Sequence, residues 1–511
     1  MKASNRVIFN TSILYVKMGV TILISLYSVR LVLASLGAVD YGIFNVIMGV
    51  VSMLSFLNAA LTVSTQRYLS FYQTKDEKTR LVKIFNNSLV LHIFAGILIV
   101  VLLEFLGGYI LKTYLQIPSN RMEVAYIVFH FASISVFFTF VSVPYSAAIN
   151  ANEKMIYIAV ISILESFEKL ILAIYITYTS ADRLLVYGVC MGCITILSFF
   201  CYFMICHKKF DECRHFSCKH IDVNLLRDMG GFAGWNIIGS ITGICKNQGV
   251  AVLLNIFKGP AVNAAYAVAN QVSSQLNFFS ATMLRSINPQ IMKAEGAGNH
   301  LYMLGLANSA CKYSFLLLAF FAIPCMFEMN AIMGLWLKEV PKHTVLFCNL
   351  ILMAIMCDQL TVGVNSGFQA CKLVRISSIF VGFIKLLILP LGYIVLKLGY
   401  SVYWVIILYA VVELLAGVMR IILANKYMGL NVLYYFREVI FRVIPPVIIT
   451  CGICYLIIKT ISVEYRIIIT VVVSFVAFVS SSYFLSLQDS EREHIRNLAF
   501  KIRIKVNEKF N

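Results

Sequence analysis

Residues 9–33 read FNTSILYVKMGVTILISLYSVRLVL, and Lys17 and Arg30 are the only charges among them. A helix rises about 1.5 Å per residue, so about 20 apolar residues cross a hydrocarbon core about 30 Å thick. The stretch is long enough to cross a bilayer. Its apolarity is continuous rather than alternating, which excludes a barrel strand. Similar runs recur near 41–63, 84–111, 123–148, 155–178, 184–206, 230–257, 262–284, 310–335, 344–368, 374–396, 401–424, 438–458 and 465–487. This predicts an all-α polytopic membrane protein with about fourteen transmembrane helices. Composition agrees: 60% of the 511 residues are hydrophobic, 13% are charged, and mean hydropathy is +0.85. A soluble domain carries about twice that charged fraction. Only Lys2 and Arg6 precede Phe9 as charges and no small-residue cleavage site follows, so a retained first span is expected rather than a signal peptide. The 14 cysteines lie mostly inside these runs, where Cys behaves as a small hydrophobe, and are expected to be reduced.

The basic residues orient the spans. They alternate loop by loop, with a bias of about three to one toward the side holding Lys2, Arg67, Lys208, Arg437 and the tail from Arg492 to Lys509. The positive-inside rule then places both termini in the cytoplasm. The formal net charge of +18 is explained by loops facing anionic lipid. It does not indicate nucleic-acid binding, which would need a basic patch on a folded domain.

The chain also repeats itself. Gly37-Ala38-Val39-Asp40-Tyr41-Gly42 follows the first span, and Gly259-Pro260-Ala261-Val262-Asn263-Ala264 follows the seventh. Each leads into a span with widely spaced Asn and Ser, then a basic loop. Six spans separate the copies, so the repeats share orientation. The expected architecture is two related six-helix lobes plus two C-terminal helices. That divides the chain into an N-terminal lobe (1–206), a basic linker (207–229), a C-terminal lobe (230–430), two further spans (431–487) and a basic tail (488–511). Repeated halves are characteristic of alternating-access transporters, with substrate handled between them.

Polar groups at membrane depth are costly, and so are candidates for function. Asn10, Lys17, Thr21 and Ser28 share one face of the first span. Asn263, Asn270 and Asn277 recur every seven residues on the eighth. With Lys246 and Arg285 these residues suit a hydrated cavity for an anionic headgroup bearing sugar hydroxyls, because cations neutralise phosphate and amides bond hydroxyls. Interhelical hydrogen bonding is the plainer role for the amides. Asp358, Thr361 and Asn365 follow i, i+3, i+7 spacing, an oxygen set for Na⁺ or, through Asp358, a proton. Lys385 has no polar companions on its face and reads as packed or snorkelled. Glu104 and Glu413 read as lone carboxylates, and Glu165 and Lys169 as a neutralising i, i+4 pair.

No phosphate-binding G-x-x-x-x-G-K-[ST] loop occurs, so nothing points to an ATP motor. Cys190-x-x-Cys193 and Cys451-x-x-Cys454 lie inside apolar spans. Cys206-His207, Cys213-Arg214-His215 and Cys218-Lys219-His220 in the linker match no standard zinc-finger spacing and sit among basic residues. A solvated linker is expected there, with no metal and no cofactor.

The segment Arg30-Leu31-Val32-Leu33-Ala34-Ser35-Leu36-Gly37-Ala38-Val39-Asp40-Tyr41-Gly42-Ile43-Phe44 resembles the first loop of the Wzx-type polysaccharide flippases. These belong to the multidrug/oligosaccharidyl-lipid/polysaccharide exporter superfamily. Thr65-Gln66-Arg67-Tyr68-Leu69-Ser70 is similar to their second-span exit. The resemblance implies flipping of an undecaprenyl-pyrophosphate-linked oligosaccharide from the inner to the outer leaflet of a bacterial cytoplasmic membrane. It further implies ion-gradient coupling, membrane lipids and polysaccharide polymerase or assembly proteins as partners, and a role as transporter rather than enzyme. Asp40 is suited to capping the second helix. Two alternatives stand: a multidrug or organic-ion antiporter of the same superfamily, and a membrane-embedded glycan polymerase or glycosyltransferase. The last would need a large outer loop, whereas these loops are only about 5–12 residues long.

Overall fold

The computed structural model describes residues 3–496 apart from 53–54, 74–77, 114–117, 215, 218–219, 338–339, 462, 490 and 494–495. The described elements are helical throughout. They run α1 (Ala3–Ser52), α2 (Ser55–Tyr72), α3 (Lys78–Thr113), α4 (Met122–Ala151), α5 (Met155–Tyr178) and α6 (Arg183–Lys209). After the linker come α7 (Val223–Lys258), α8 (Pro260–Gly296), α9 (His300–Phe327), α10 (Met329–Trp336), α11 (Thr344–Gln359) and α12 (Val362–Ala370). Then follow α13 (Val374–Leu386), α14 (Ile388–Lys397), α15 (Val402–Met428), α16 (Val432–Tyr435), α17 (Phe441–Thr460) and α18 (Val463–Ser481).

Ten of the described helical stretches are long and apolar enough to cross a membrane, or eleven if the bent α11–α12 pair counts as one span. Three of the fourteen crossings expected from sequence are outside that set. α5 carries Glu165, Glu168 and Lys169 within 24 residues, and α8 carries the asparagine seam. The run 41–63 includes residues 53–54, which lie outside the described residues. Large apolar side chains point outward along many helices, among them Val16, Leu23, Phe94, Ile171, Leu415 and Val476. Such a surface is tolerable only in lipid or under a partner.

The chain forms two compact units. The first comprises Met1–Ile241, Arg285–Met303 and Gln369–Ser378; the second comprises Thr242–Leu284, Leu304–Phe368 and Ile379–Asn511. The first unit has a core around Val32, Ile47, Val128, Phe129, Ala173 and Leu184. The second has one around Leu254, Tyr266, Phe347, Ile351, Val405 and Tyr409.

The internal repeat is written into the backbone. Gly37 (φ 74°) kinks α1 at the first repeated motif, and Gly259 (φ 84°) separates α7 from α8 at the second. Nothing lies within 4 Å of a Cβ built on either, so what requires glycine is the left-handed conformation and not close packing. A second pair of left-handed residues, Glu153 after α4 and Lys372 after α12, recurs about 220 residues apart.

The last two spans fall outside the repeat but belong to the second unit's core. The buried Glu328 carboxylate receives Arg466 Nε at 3.0 Å and Thr470 Oγ1 at 2.9 Å. Lys312 Nζ donates to Glu491 at 2.7 and 2.8 Å. Phe320 stacks on Phe475 with centroids 4.0 Å apart.

Candidate functional site

In the second unit, five charged side chains from four spans converge. The geometry begins with two broken helices. α11 and α12 meet at a 40° bend around Leu360 and Thr361. Gly363, just beyond the bend, lies against α9 so closely that a Cβ would sit 2.1 Å from the Ala307 carbonyl oxygen. The Tyr435 hydroxyl donates to the Leu360 carbonyl at 2.6 Å, satisfying an acceptor that the bend leaves without a helical donor. The second break, at Leu387 between α13 and α14, lies three residues before Pro390. Proline lacks the N–H that would bond Leu386, and its ring crowds that carbonyl. Asp358 and Lys385 sit beside these two breaks. Along the unbroken α15, Tyr409, Glu413, Gly417 and Arg420 recur at helical spacing, and Thr361 packs beside Gly417.

Lys246 of α7 pairs with Glu413 Oε1 and lies 4.2 Å over the Tyr409 ring. Lys385 Nζ is 2.9 Å from Glu413 Oε2 and 3.1 Å from Asp358 Oδ1. Arg420 Nη1 is 3.4 Å from Asp358 Oδ1 and donates to Thr361 Oγ1. The Tyr409 hydroxyl donates to Asn247 Oδ1 at 3.0 Å. Asp358, Lys385 and Glu413 lie near the middle of the spans Thr344–Ala370, Val374–Lys397 and Val402–Met428. Charges at that depth must be mutually compensated, because desolvation of each ion costs several kcal/mol. Compensation among the described residues is incomplete: three cations face two carboxylates. Arg420, 6% exposed, keeps its Nε without a hydrogen-bond partner among the described residues.

A second cluster lies in the first unit. Lys17 of α1 is within electrostatic reach of Arg285 and Glu165. Glu165 Oε1 accepts from Lys169 Nζ at 2.6 Å on α5, and Tyr202 of α6 lies within electrostatic reach of Glu165 and Arg285. Thr11 and Ser286 hydroxyls, 2.6 Å apart, join α1 to α8 next to Arg285. Asn10 is buried and donates to the Glu153 carbonyl at 3.0 Å, while Thr21 and Ser28 bond carbonyls of their own helix.

The expected substrate residues therefore fall into two groups. Lys17 and Arg285 come together in the first unit, and Lys246 joins the cluster of the second. Asn277 Oδ1 accepts from Gln359 Nε2 at 3.0 Å, and Asn270 donates to the Tyr266 carbonyl of its own helix. The side chain of Asn263 lies outside the described residues. Asp358 and Thr361 meet at Arg420, and Asn365 follows on α12. The sequence does not single out Arg420, and Lys385 and Glu413 read there as solitary. The available signals were the i, i+7 spacing of Glu413 and Arg420 and the break announced by Pro390. Asp40 has a stronger partner than a helix end: Arg121 pairs with it and with Asp182, whose side chain caps α6. Around the linker, Cys206 and Cys213 are buried, and the His207 ring lies tilted 3.9 Å from that of Phe203. His215, Cys218 and Lys219 lie outside the described residues.

No family model matches the chain, and comparison with curated proteins finds no match. Solved structures do match. A variant of a Vibrio cholerae MATE transporter is 19% identical, with TM-score 0.69, covering 85% of this chain and 98% of its own. An outward-facing multidrug resistance MATE family transporter of the MOP superfamily has TM-score 0.71 at 12% identity, covering 84% and 96%. A MOP superfamily transporter from Pyrococcus furiosus, described as having a binding pocket of reverse polarity that suggests a different function, has TM-score 0.68 at 13% identity, covering 84% and 96%. The fold is that of the MATE transporters: all-helical, polytopic and two-lobed.

Proposed function

We propose that this protein flips an anionic lipid-linked saccharide, of the undecaprenyl-pyrophosphate-linked oligosaccharide class, from the inner to the outer leaflet of a bacterial cytoplasmic membrane by alternating access. One observation carries the reading: at mid-span in the second unit, cations outnumber carboxylates and Arg420 retains an unpartnered N–H. A phosphate supplies the missing negative charge and accepts from guanidinium and ammonium donors. Lys17 and Arg285 present a further pair of cations in the first unit.

The same cluster supplies a route to ion coupling. A phosphate that engages Lys385 and Arg420 competes with Asp358, which both cations now hold. The carboxylate thus released takes up a proton or Na⁺. Substrate and ion occupancy are then linked through Asp358, and linkage requires this coupling to be reciprocal. Asp358→Asn removes the acceptor, so flipping should lose its dependence on pH or Na⁺ while the substrate still binds. An unchanged ion dependence would place coupling elsewhere.

A second reading, a multidrug or organic-ion antiporter, has specific support from the MATE neighbours and from the described function of one of them. A pump for cationic drugs is better served by excess carboxylate, whereas the excess here is cationic. Cells lacking the protein separate the readings. Build-up of a lipid-linked saccharide on the inner leaflet supports flipping; drug sensitivity without build-up supports the antiporter.

A further inference from the structure

Two turns of the first unit bring three metal-competent side chains together. Glu295 is the penultimate residue of α8, His300 opens α9, and Cys371 follows α12. One carboxylate oxygen, one imidazole nitrogen and the sulfur all lie within 4.8 Å of one another. All three residues are half-buried. His300 Nδ1 is 2.7 Å from Glu295 Oε2.

The backbone fixes this grouping. In the α8–α9 turn, Gly298 takes φ 75°, its N–H bonds the Glu295 carbonyl at 3.0 Å, and Asn299 Oδ1 accepts from Tyr302 N at 3.2 Å. That tight reversal sets Glu295 and His300 side by side. Cys371 is held from the other direction. Arg67 Nη2 donates to the Ala370 carbonyl at 3.0 Å and Nε to the Gln369 carbonyl at 3.3 Å. Lys372, left-handed at φ 62°, pairs with Asp228. Ligand positions set by backbone constraints are what a metal site needs before the ion arrives.

We propose that Glu295, His300 and Cys371 form a binding site for a borderline-soft divalent cation of the Zn²⁺ class. Sulfur, nitrogen and oxygen ligands together favour zinc over Mg²⁺ or Ca²⁺, which take oxygen alone. Three protein ligands leave a fourth tetrahedral position for water. On binding, Cys371 releases its thiol proton to solvent, and the neutral His300 ring keeps its one proton on the nitrogen turned away from the metal. The ion would staple the α8–α9 turn to the α12–α13 turn, which lie about 70 residues apart in sequence.

The test uses the full-length protein in detergent, stripped with chelator, loaded with Zn²⁺ and desalted. About one zinc per chain should remain, as a single tetrahedral site requires. Co²⁺ should give a thiolate charge-transfer band. Both signals should vanish in Cys371→Ser and His300→Gln and persist in Cys213→Ser, which removes a buried thiol elsewhere. Melting in chelator should match wild type for the ligand variants, showing that they fold. If Cys371→Ser does not fold, His300→Gln, at a side chain 40% exposed, decides alone. A wild-type protein that retains no zinc, or folded ligand variants that retain it in full, would overturn the site.

Discussion

The two charge clusters are built from similar side chains on different supports. In the first unit, Glu165, Glu168 and Lys169 lie within one turn of the unbroken α5, and the Lys169 and Glu165 side chains are 39% and 33% exposed. In the second, Lys246 and Glu413 are 9% and 3% exposed, and their neighbours Asp358 and Lys385 stand at broken helices. Local i, i+4 pairing among half-exposed groups is worth a few tenths of a kcal/mol. A buried pair gains more from its partner and loses more without it. Exposure therefore decides how far each cluster supports the fold. The second unit has tied its fold to its charges, while those of the first are half-exposed.

The largest effect should come from removing a carboxylate in the second unit. Glu413 is 3% exposed and faces both Lys246 and Lys385. Glu413→Gln leaves two ammonium groups in a buried site with one fewer counter-charge, a loss of about 3–5 kcal/mol. Thermal melting in detergent measures it. A stability within about 1 kcal/mol of wild type would mean that the cluster is hydrated like an exposed one, and the contrast between units would collapse.

Next in size is the bend that presents Asp358. Gly363→Ala drives a methyl into the Ala307 carbonyl and toward the Cys311 N–H, which the same Cβ would approach to 2.9 Å. Both obstacles are backbone, so the helices must part; the expected cost is about 1–3 kcal/mol, with weakened transport because Thr361 and Asp358 shift with the bend. Melting and flipping assays on the same preparation check both effects. Unchanged melting would show that α9 and α12 can separate freely.

How much of this was legible in the sequence follows the same division. The apolar runs gave most of the spans, because bilayer thickness imposes a length on a crossing helix. The glycine motifs gave the repeat, and Gly37 and Gly259 prove to share a positive φ. The Glu165–Lys169 pair was readable because it is local. The second unit's cluster was not, since Lys246, Asp358, Lys385 and Glu413 come from four separate spans. Periodicity reports which face of a helix is polar but not which other helix that face meets. Lys385 looked solitary because its partners lie on α11 and α15. Likewise, Glu295 and His300 stand near Cys371 only once two turns have formed.

The smallest effect on stability should mark the most consequential residue for transport. Glu165→Gln should cost less than about 1 kcal/mol, because its partner Lys169 remains hydrated. Lys17→Ala should be similarly mild. Lys17 is half-buried, and its electrostatic neighbours Arg285 and Glu165 oppose each other in sign. Removing it relieves repulsion with the arginine while surrendering attraction to the carboxylate, so the two changes partly cancel. Its loss to a phosphate ligand has no such offset, since both Lys17 and Arg285 attract an anion. Flipping of a lipid-linked saccharide by reconstituted Lys17→Ala protein should therefore fall by about tenfold or more, the equivalent of one charge-assisted contact, at unchanged melting temperature. Wild-type flipping at equal protein abundance would remove Lys17 from the substrate path. It would also leave the second unit's uncompensated cation as the sole support for an anionic cargo.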